Sequence, residues 1–387
     1  EKAEIYLVKA VETWDRVLGK QNENYIISLE NLSFTYARQG KNDKAEIASL
    51  AALELKKISL GETDPLYILA VKNLAKFYQN TSQYDKAEKY FLTAIKIAED
   101  SLVDNTPEYT ETLLFLANLY KETGKYIEAE TWFMKAVKSG KKTLGTGHSF
   151  YGRILNDLAL LYDYSGKHEA ADSLLNQALG IARKTKGDKH PDVAVVLNNL
   201  GSLYNDMGLF AKAEPVILEA LEIKRKFYGE DHVENVPVFN ILANLYSDMG
   251  KYDKAEHYYL EAIRIKKKQS GENNPAYSNY INNLALLYHL MGYYKKAEPL
   301  FLQSFEIRER LLGENHPLLA QSLNNLAALY SDLAQFEKAE KLYLQAAEIR
   351  KVSLGEGHAD YGASINNLAN NYEGMGMPEK AEPLLLL

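Results

Sequence analysis

Tyrosine recurs every 42 residues along this chain, at Tyr36, Tyr78, Tyr120, Tyr162, Tyr204, Tyr246, Tyr288, Tyr330 and Tyr372. A fixed period of this length means that one small supersecondary unit is copied and stacked, and that its buried face is completed only by its neighbours. Alanine keeps the same step at Ala45, Ala87, Ala129, Ala171, Ala213, Ala255, Ala297, Ala339 and Ala381, and a second small column runs from Ala10 through Ala52, Ala94, Ala136, Ala178, Ala220 and Ala262 to Ser304 and Ala346. Small residues at constant spacing mark places where two helices must approach closely.

Each unit reads as two helices. In the first, apolar residues fall at i, i+3 and i+7, as in Leu197, Leu200 and Tyr204 or Ile281, Leu284 and Tyr288, which is the stripe of a 3.6-residue period. Glycine follows at Gly40, Gly124, Gly166, Gly208, Gly250, Gly292 and Gly376, where a left-handed C-cap is expected. The second helix opens on a recurrent Lys-Ala-Glu and ends near Gly61, Gly145, Gly187, Gly229, Gly271, Gly313 and Gly355. The next first helix begins after Asp64-Pro65, Thr106-Pro107, His190-Pro191, Asn274-Pro275 and His316-Pro317, a capping side chain followed by a proline whose missing N–H costs nothing there. Three departures predict local bends: Pro237 inside a first helix, Val103 in place of a turn glycine, and Ser82 and Ala334 in place of C-cap glycines.

The spacing of Ala159, Tyr162, Gly166, Ala171 and Ala178 resembles the tetratricopeptide pattern. HEAT-type repeats have similar lengths without this alanine and tyrosine grammar. The unit is longer than the usual repeat of about 34 residues by roughly two helical turns. With the Leu197 to Tyr204 and Leu323 to Tyr330 stretches and the Leu312 to Pro317 turn, it is similar to the kinesin-light-chain subtype. The resemblance implies an all-α, right-handed α-solenoid of antiparallel helix pairs over the whole of residues 1–387. Within it, residues 1–24 are expected to be the second helix of a cut repeat and its turn, 25–377 eight full repeats plus the first helix of a ninth, and 378–387 a cut second helix. Both ends are expected to be those of a fragment, because such arrays need polar capping repeats.

By the same resemblance the first helices line a concave groove. Two asparagine columns run along them: Asn156, Asn198, Asn240, Asn282, Asn324 and Asn366, and beside it Asn31, Asn73, Asn199, Asn283, Asn325 and Asn367. The first shares its face with residues four and seven further on, such as Ser202 and Asn205 or Asn244 and Ser247. A carboxamide donates and accepts, so this face suits the main chain of an extended peptide. The first column is expected to touch a ligand; the second is equally explained by packing between helices. Expected groove charge is uneven, with Arg38, Lys72, Lys76, Lys121 and Arg153 early and Asp206, Asp248 and Asp332 later. Such a gradient would orient an extended ligand, its acidic end toward the early repeats, unless it is scattered surface charge. The family implies acidic cargo motifs, and the acidic later half departs from that.

Other partners and chemistries are disfavoured. A formal charge of −7 offers no attraction to phosphate backbones or anionic membranes. The cations at the ends of the second helices, such as Lys56-Lys57 and Lys224-Arg225-Lys226, are explained by the helix dipole. The chain has no cysteine, which removes thiolate chemistry and suits a reducing, cytoplasmic interior. His148, His190, His232, His316 and His358 come one per repeat, the placement of turn and cap residues and not of a metal site. No nucleophile elbow, phosphate loop or zinc-protease motif is present. No metal, cofactor, catalytic residue, membrane span or signal peptide is expected. The expected function is a protein-interaction scaffold that binds a partner polypeptide. The alternative is a sensor or regulatory arm of a larger effector, with a caspase-like peptidase or nucleotide-binding domain outside these residues as its partner in cis.

Overall fold

The computed structural model describes residues 2–386, and all the regular structure in them is helical. Two compact units divide at Asp157 and Leu158. The first contains α1 (Lys2–Leu18), α2 (Glu23–Arg38), α3 (Asn42–Leu60), α4 (Pro65–Asn80), α5 (Tyr84–Asp100), α6 (Pro107–Glu122) and α7 (Tyr126–Thr143), and enters α8 (Ser149–Tyr164). The second continues from α8 with α9 (His168–Lys186), α10 (Pro191–Asp206), α11 (Phe210–Tyr228), α12 (Val236–Asp248), α13 (Tyr252–Ser270) and α14 (Pro275–Leu290). It is completed by α15 (Tyr294–Leu312), α16 (Pro317–Asp332), α17 (Phe336–Leu354), α18 (Ala359–Gly374) and α19 (Pro378–Leu385). The first and second helices of every repeat therefore match the periodic reading, and the architecture is an all-α helix-pair repeat of solenoid type.

The alanine columns sit at the helix crossings. Ala45, Ala87, Ala129, Ala171, Ala213, Ala255, Ala297 and Ala339 are completely buried, so any larger side chain there would separate the helices. Ser304 breaks the second column without breaking the contact, because its hydroxyl donates to the Ser278 carbonyl at 3.0 Å. Gly201 stands where other repeats carry alanine, and a Cβ there would lie 2.2 Å from Ile217 Cγ1. The glycine on α10 makes room for the branched isoleucine on α11.

The tyrosines tie each repeat to the one before. Tyr78, Tyr120, Tyr204, Tyr246, Tyr288, Tyr330 and Tyr372 each donate their hydroxyl to the carboxylate 32 residues earlier, at 2.5 to 2.9 Å. The acceptors are Glu46, Glu88, Asp172, Glu214, Glu256, Glu298 and Glu340, the last residue of the Lys-Ala-Glu opening or its aspartate equivalent. The lysine of that motif lies over the tyrosine of its own repeat, as with Lys86 over Tyr78 at 4.9 Å, Lys254 over Tyr246 at 4.8 Å and Lys338 over Tyr330 at 3.4 Å.

The departures act as their chemistry requires. Pro237 shortens its helix: a 3₁₀ turn over Val233–Asn235 precedes α12, which has 13 residues where the other first helices have 16. Near Val103 the adjustment falls one residue earlier, because α5 stops at Asp100 and Leu102 takes φ +58°. Ser82 and Ala334 adopt φ +57° and +56°, where glycine stands in most repeats. A Cβ in that region costs about 1–2 kcal/mol. Ala334→Gly should therefore raise the guanidinium unfolding free energy by about 0.5–1 kcal/mol, whereas Gly201→Ala should lower it by about 1–3 kcal/mol through overpacking. A neutral result for both would detach the backbone geometry and the helix crossing from stability.

Candidate functional site

The polar face of the first helices is a bonded lattice. Asn283 Nδ2 donates to Asn240 Oδ1 at 2.7 Å, Asn325 Nδ2 to Asn282 Oδ1 at 3.0 Å, and Asn367 Nδ2 to Asn324 Oδ1 at 3.2 Å. The second column thus donates across to the first, one residue beyond the period. The same 43-residue step carries Gln79 to Glu122 at 2.8 Å, Asn205 to Asp248 at 2.6 Å and His289 to Asp332 at 2.7 Å. With their oxygens committed, Asn240, Asn282 and Asn324 are left with their Nδ2 groups, that of Asn282 buried without a partner; the Oδ1 of Asn198 is buried and has no such donor. Asn282 and Asn156 are buried, Asn198, Asn199, Asn240 and Asn324 half-buried, and Asn31, Asn73, Asn244 and Asn366 exposed.

In the first compact unit, α2, α3 and α4 enclose a cleft of about 740 Å³ whose lining includes Phe34, Phe77, Asn31, Asn73, Arg38 and Lys76. Arg38 lies 5.8 Å from the Phe34 ring and Lys76 lies 4.3 Å from the Phe115 ring. Neither cation has a carboxylate partner among the described residues. Lys72 is a different case, buried and ion-paired with Glu111 at 2.5 Å. Burial pulls the Lys121 ammonium down, against the opposing pull of Asp157 and Glu122. Arg153 is exposed, 5.7 Å from the Phe150 ring.

In the second unit a narrower cleft of about 230 Å³ opens between α10 and α12, lined by Ser202, Asn205, Asp206, Ile241, Asn244, Ser247, Asp248 and Tyr259. Tyr259, on α13, is buried, and its hydroxyl donates to Asn244 Oδ1 at 2.5 Å. Burial pushes this phenol up, and Asp248 adds to the shift. Asp332 lies apart from this cleft, bonded to His289. The four polar positions read from the helical period, Ser202, Asn205, Asn244 and Ser247, do share one cleft. Tyr259 was missed because its position, three residues before the second alanine column, is apolar in most repeats (Phe91, Phe133, Leu175, Ile217, Phe301); the hydroxyl at 259 was the available signal.

The periodic histidines are caps. The Nδ1 atoms of His148, His190, His232, His316 and His358 accept from the backbone N–H two residues on, at 3.0 to 3.3 Å. The cations at second-helix ends meet acids in the following turn, with Arg225 to Glu230 at 2.8 Å, Lys351 to Glu356 at 2.6 Å, and Lys267 with Glu272. Those pairings offset part of the ridge that phosphates would need. Among the described residues no group of three or more histidine, aspartate or glutamate side chains could hold a metal ion, and no helix is long and apolar enough to cross a membrane.

Stacked helix pairs with a polar first-helix face define a repeat protein of the interaction-scaffold class. The tetratricopeptide repeat profile matches residues 1–58, 67–139, 109–184, 171–225, 192–268, 276–351 and 332–386, and the chain belongs to the tetratricopeptide repeat family. Among solved structures it is similar to the repeats of a putative kinesin light chain from Podosopora anserina, with 24% identity, 53% of this chain and 97% of that chain covered, and a TM-score of 0.45. A Rap protein complexed with competence and sporulation factor is 16% identical, with 92% of this chain and 99% of that chain covered at a TM-score of 0.56. A signal transduction ATPase with numerous domains and a tetratricopeptide repeat sensor, from Pyrococcus horikoshii, is 17% identical, with 94% of this chain and 52% of that chain covered at a TM-score of 0.51. No curated protein matches the chain by sequence.

The histidine caps make a pH prediction. Burial, and then Arg308, pull the His316 imidazole below its ordinary value. The unfolded chain therefore takes up this proton first, so the cap's contribution is present above the ordinary histidine pKa of about 6.5 and falls away below it. His316→Asn, which copies Asn274 of the preceding repeat, should keep the melting temperature at pH 7 and lose less of it than the parent between pH 7 and pH 5. Equal losses in the two proteins would remove His316 from the account.

Proposed function

We propose that this chain is a protein-interaction scaffold that holds an extended segment of a partner polypeptide against its first helices. The observation that carries this reading is the oriented amide lattice. Because Asn283 and Asn367 fix the oxygens of the half-buried Asn240 and Asn324, the Nδ2 groups of these two residues are donors held in place before any ligand arrives. Donors held in advance lower the ordering cost of binding. A peptide main chain presents carbonyl acceptors whatever its side chains, so the lattice supplies affinity and the clefts supply choice.

The two clefts differ in what they favour. Arg38 and Lys76 beside Phe34 and Phe77 suit an acidic or aromatic side chain, whereas Asp206 and Asp248 suit the opposite charge. Tetratricopeptide repeats are in general non-catalytic scaffolds, and the site residues proposed here bind and orient without reacting. The alternative of a sensor arm in a larger effector has fold likeness alone behind it.

Selection of random dodecapeptides displayed on phage against the immobilised chain tests the reading. Peptides should enrich, and their binding should weaken at least tenfold on Ser202→Trp, which fills the α10–α12 cleft, and on Asn324→Ala, with both variants keeping the parental circular dichroism spectrum. Failure of any peptide to enrich, or binding indifferent to both variants, contradicts it.

A further inference from the structure

One position of the second helices carries a large apolar or aromatic side chain in every repeat but one. From Phe91 through Leu175 and Ile217 to Tyr343 its members stand 42 residues apart, and all of them are buried. At Phe91 the ring leaves α5 to stack on Phe115 of α6, the next first helix, with centroids 6.1 Å apart. On α3 the position is Ser49, and no ring makes that span. The cleft of about 740 Å³ between α2, α3 and α4 lies at this place, and Ser49 lines it.

Phe34, Ala37, Leu53, Leu69, Leu74 and Phe77 supply the apolar walls of this cleft. Its two serines need no ligand. The buried Ser33 donates its hydroxyl to the Ala45 carbonyl at 2.8 Å, which leaves the Ser49 hydroxyl to donate to Ser33 Oγ at 2.5 Å. An apolar group laid over them therefore strands no donor. Ser33 is itself out of pattern, since the equivalent residue is Ala75 in the next repeat and alanine or glycine in the others. The mouth is apolar as well: Phe34 is 64% exposed, on a helix face where the equivalent residues include Lys76, Asn118, Ser202 and Asn244. Asn31 and Asn73 line the same cleft, so it opens on the face that carries the asparagine columns.

We propose that this cleft takes one aromatic side chain of the bound segment, seated over Ser49 where the other repeats carry a ring or branched chain of their own. The partner then completes a packing position that the chain leaves open, and the repeat pattern states the size and chemistry of what fits. Phe34 and Phe77 can each pair with a ring, which an aliphatic side chain forgoes. A buried aromatic anchor of this kind concentrates binding energy in one residue. The inference rests on the groove reading and adds the chemistry of one partner residue to it.

The test uses the full chain, the selected dodecapeptides and the double variant Ser33→Ala, Ser49→Phe, which copies Ala75 and Phe91 of the next repeat. Filling the hole should raise the melting temperature by about 2–4 °C. Peptides enriched on the parent should share an aromatic residue. Its replacement by alanine should weaken binding at least tenfold, and by leucine less, as read by fluorescence anisotropy. The double variant should weaken the aromatic peptide at least tenfold and leave the alanine peptide unchanged. Phe34→Ala, at an exposed position that the fold does not need, should weaken the aromatic peptide about threefold or more, the loss of one aromatic pair. A lower melting temperature in the double variant would mean that no ring-sized space exists, and would overturn the pocket. So would peptides that bind the double variant as tightly as the parent; if Ser202→Trp or Asn324→Ala still weakens them, the groove reading stands. Failure of all peptides to enrich overturns both. Free phenol that raises the melting temperature of the parent and not of the double variant, with no peptide enriched, would reassign the cleft to a small aromatic molecule.

Discussion

The bond from each tyrosine hydroxyl to a carboxylate 32 residues earlier is the contact on which the repeat geometry depends. It joins the first helix of one repeat to the second helix of the preceding one, and it recurs without change of partner position through both compact units. A tyrosine that is mostly buried must find an acceptor, and the carboxylate just past the first turn of each second helix lies within reach of its hydroxyl. The lysine over the ring completes a three-part joint, so Lys-Ala-Glu holds a cation for one tyrosine, a small residue for the helix crossing, and an acceptor for the next tyrosine.

Regular joints allow irregular surfaces. Once alanines and tyrosines fix how helices meet, residues on the exposed side of the first helices are free to vary, and it is there that the repeats differ in charge. The asparagine lattice occupies the boundary between these regimes. It is bonded sideways as packing residues are, from one first helix to the next.

Much of this was legible in the sequence because a 42-residue period forces like residues into like environments. The alanine crossings, the proline-led first helices, the histidine caps and the shortened helix at Pro237 were all read from spacing and backbone chemistry. The partners of the periodic residues were not. Glu46 and its successors are ordinary helix-opening acids until the stacking brings a tyrosine to them. Asn283 and Asn240 are 43 residues apart, one off the period, so their bond depends on the offset between successive first helices, which spacing alone does not contain. Lys72 reads as a surface cation and is instead buried against Glu111 of the next first helix, 39 residues on. Leu102 takes the left-handed turn expected at Val103 because α5 ends at Asp100, two residues before the periodic position.

The exposed face of the first helices is the face we propose to bind a partner. Photo-crosslinking tests it most directly, with benzoylphenylalanine placed at Ser202 or Ser247 on that face, and at Leu218 or Leu260 on the exposed side of the second helices. Crosslinks to a selected dodecapeptide are expected from the first pair of positions and none from the second. Crosslinks confined to Leu218 and Leu260 would contradict it.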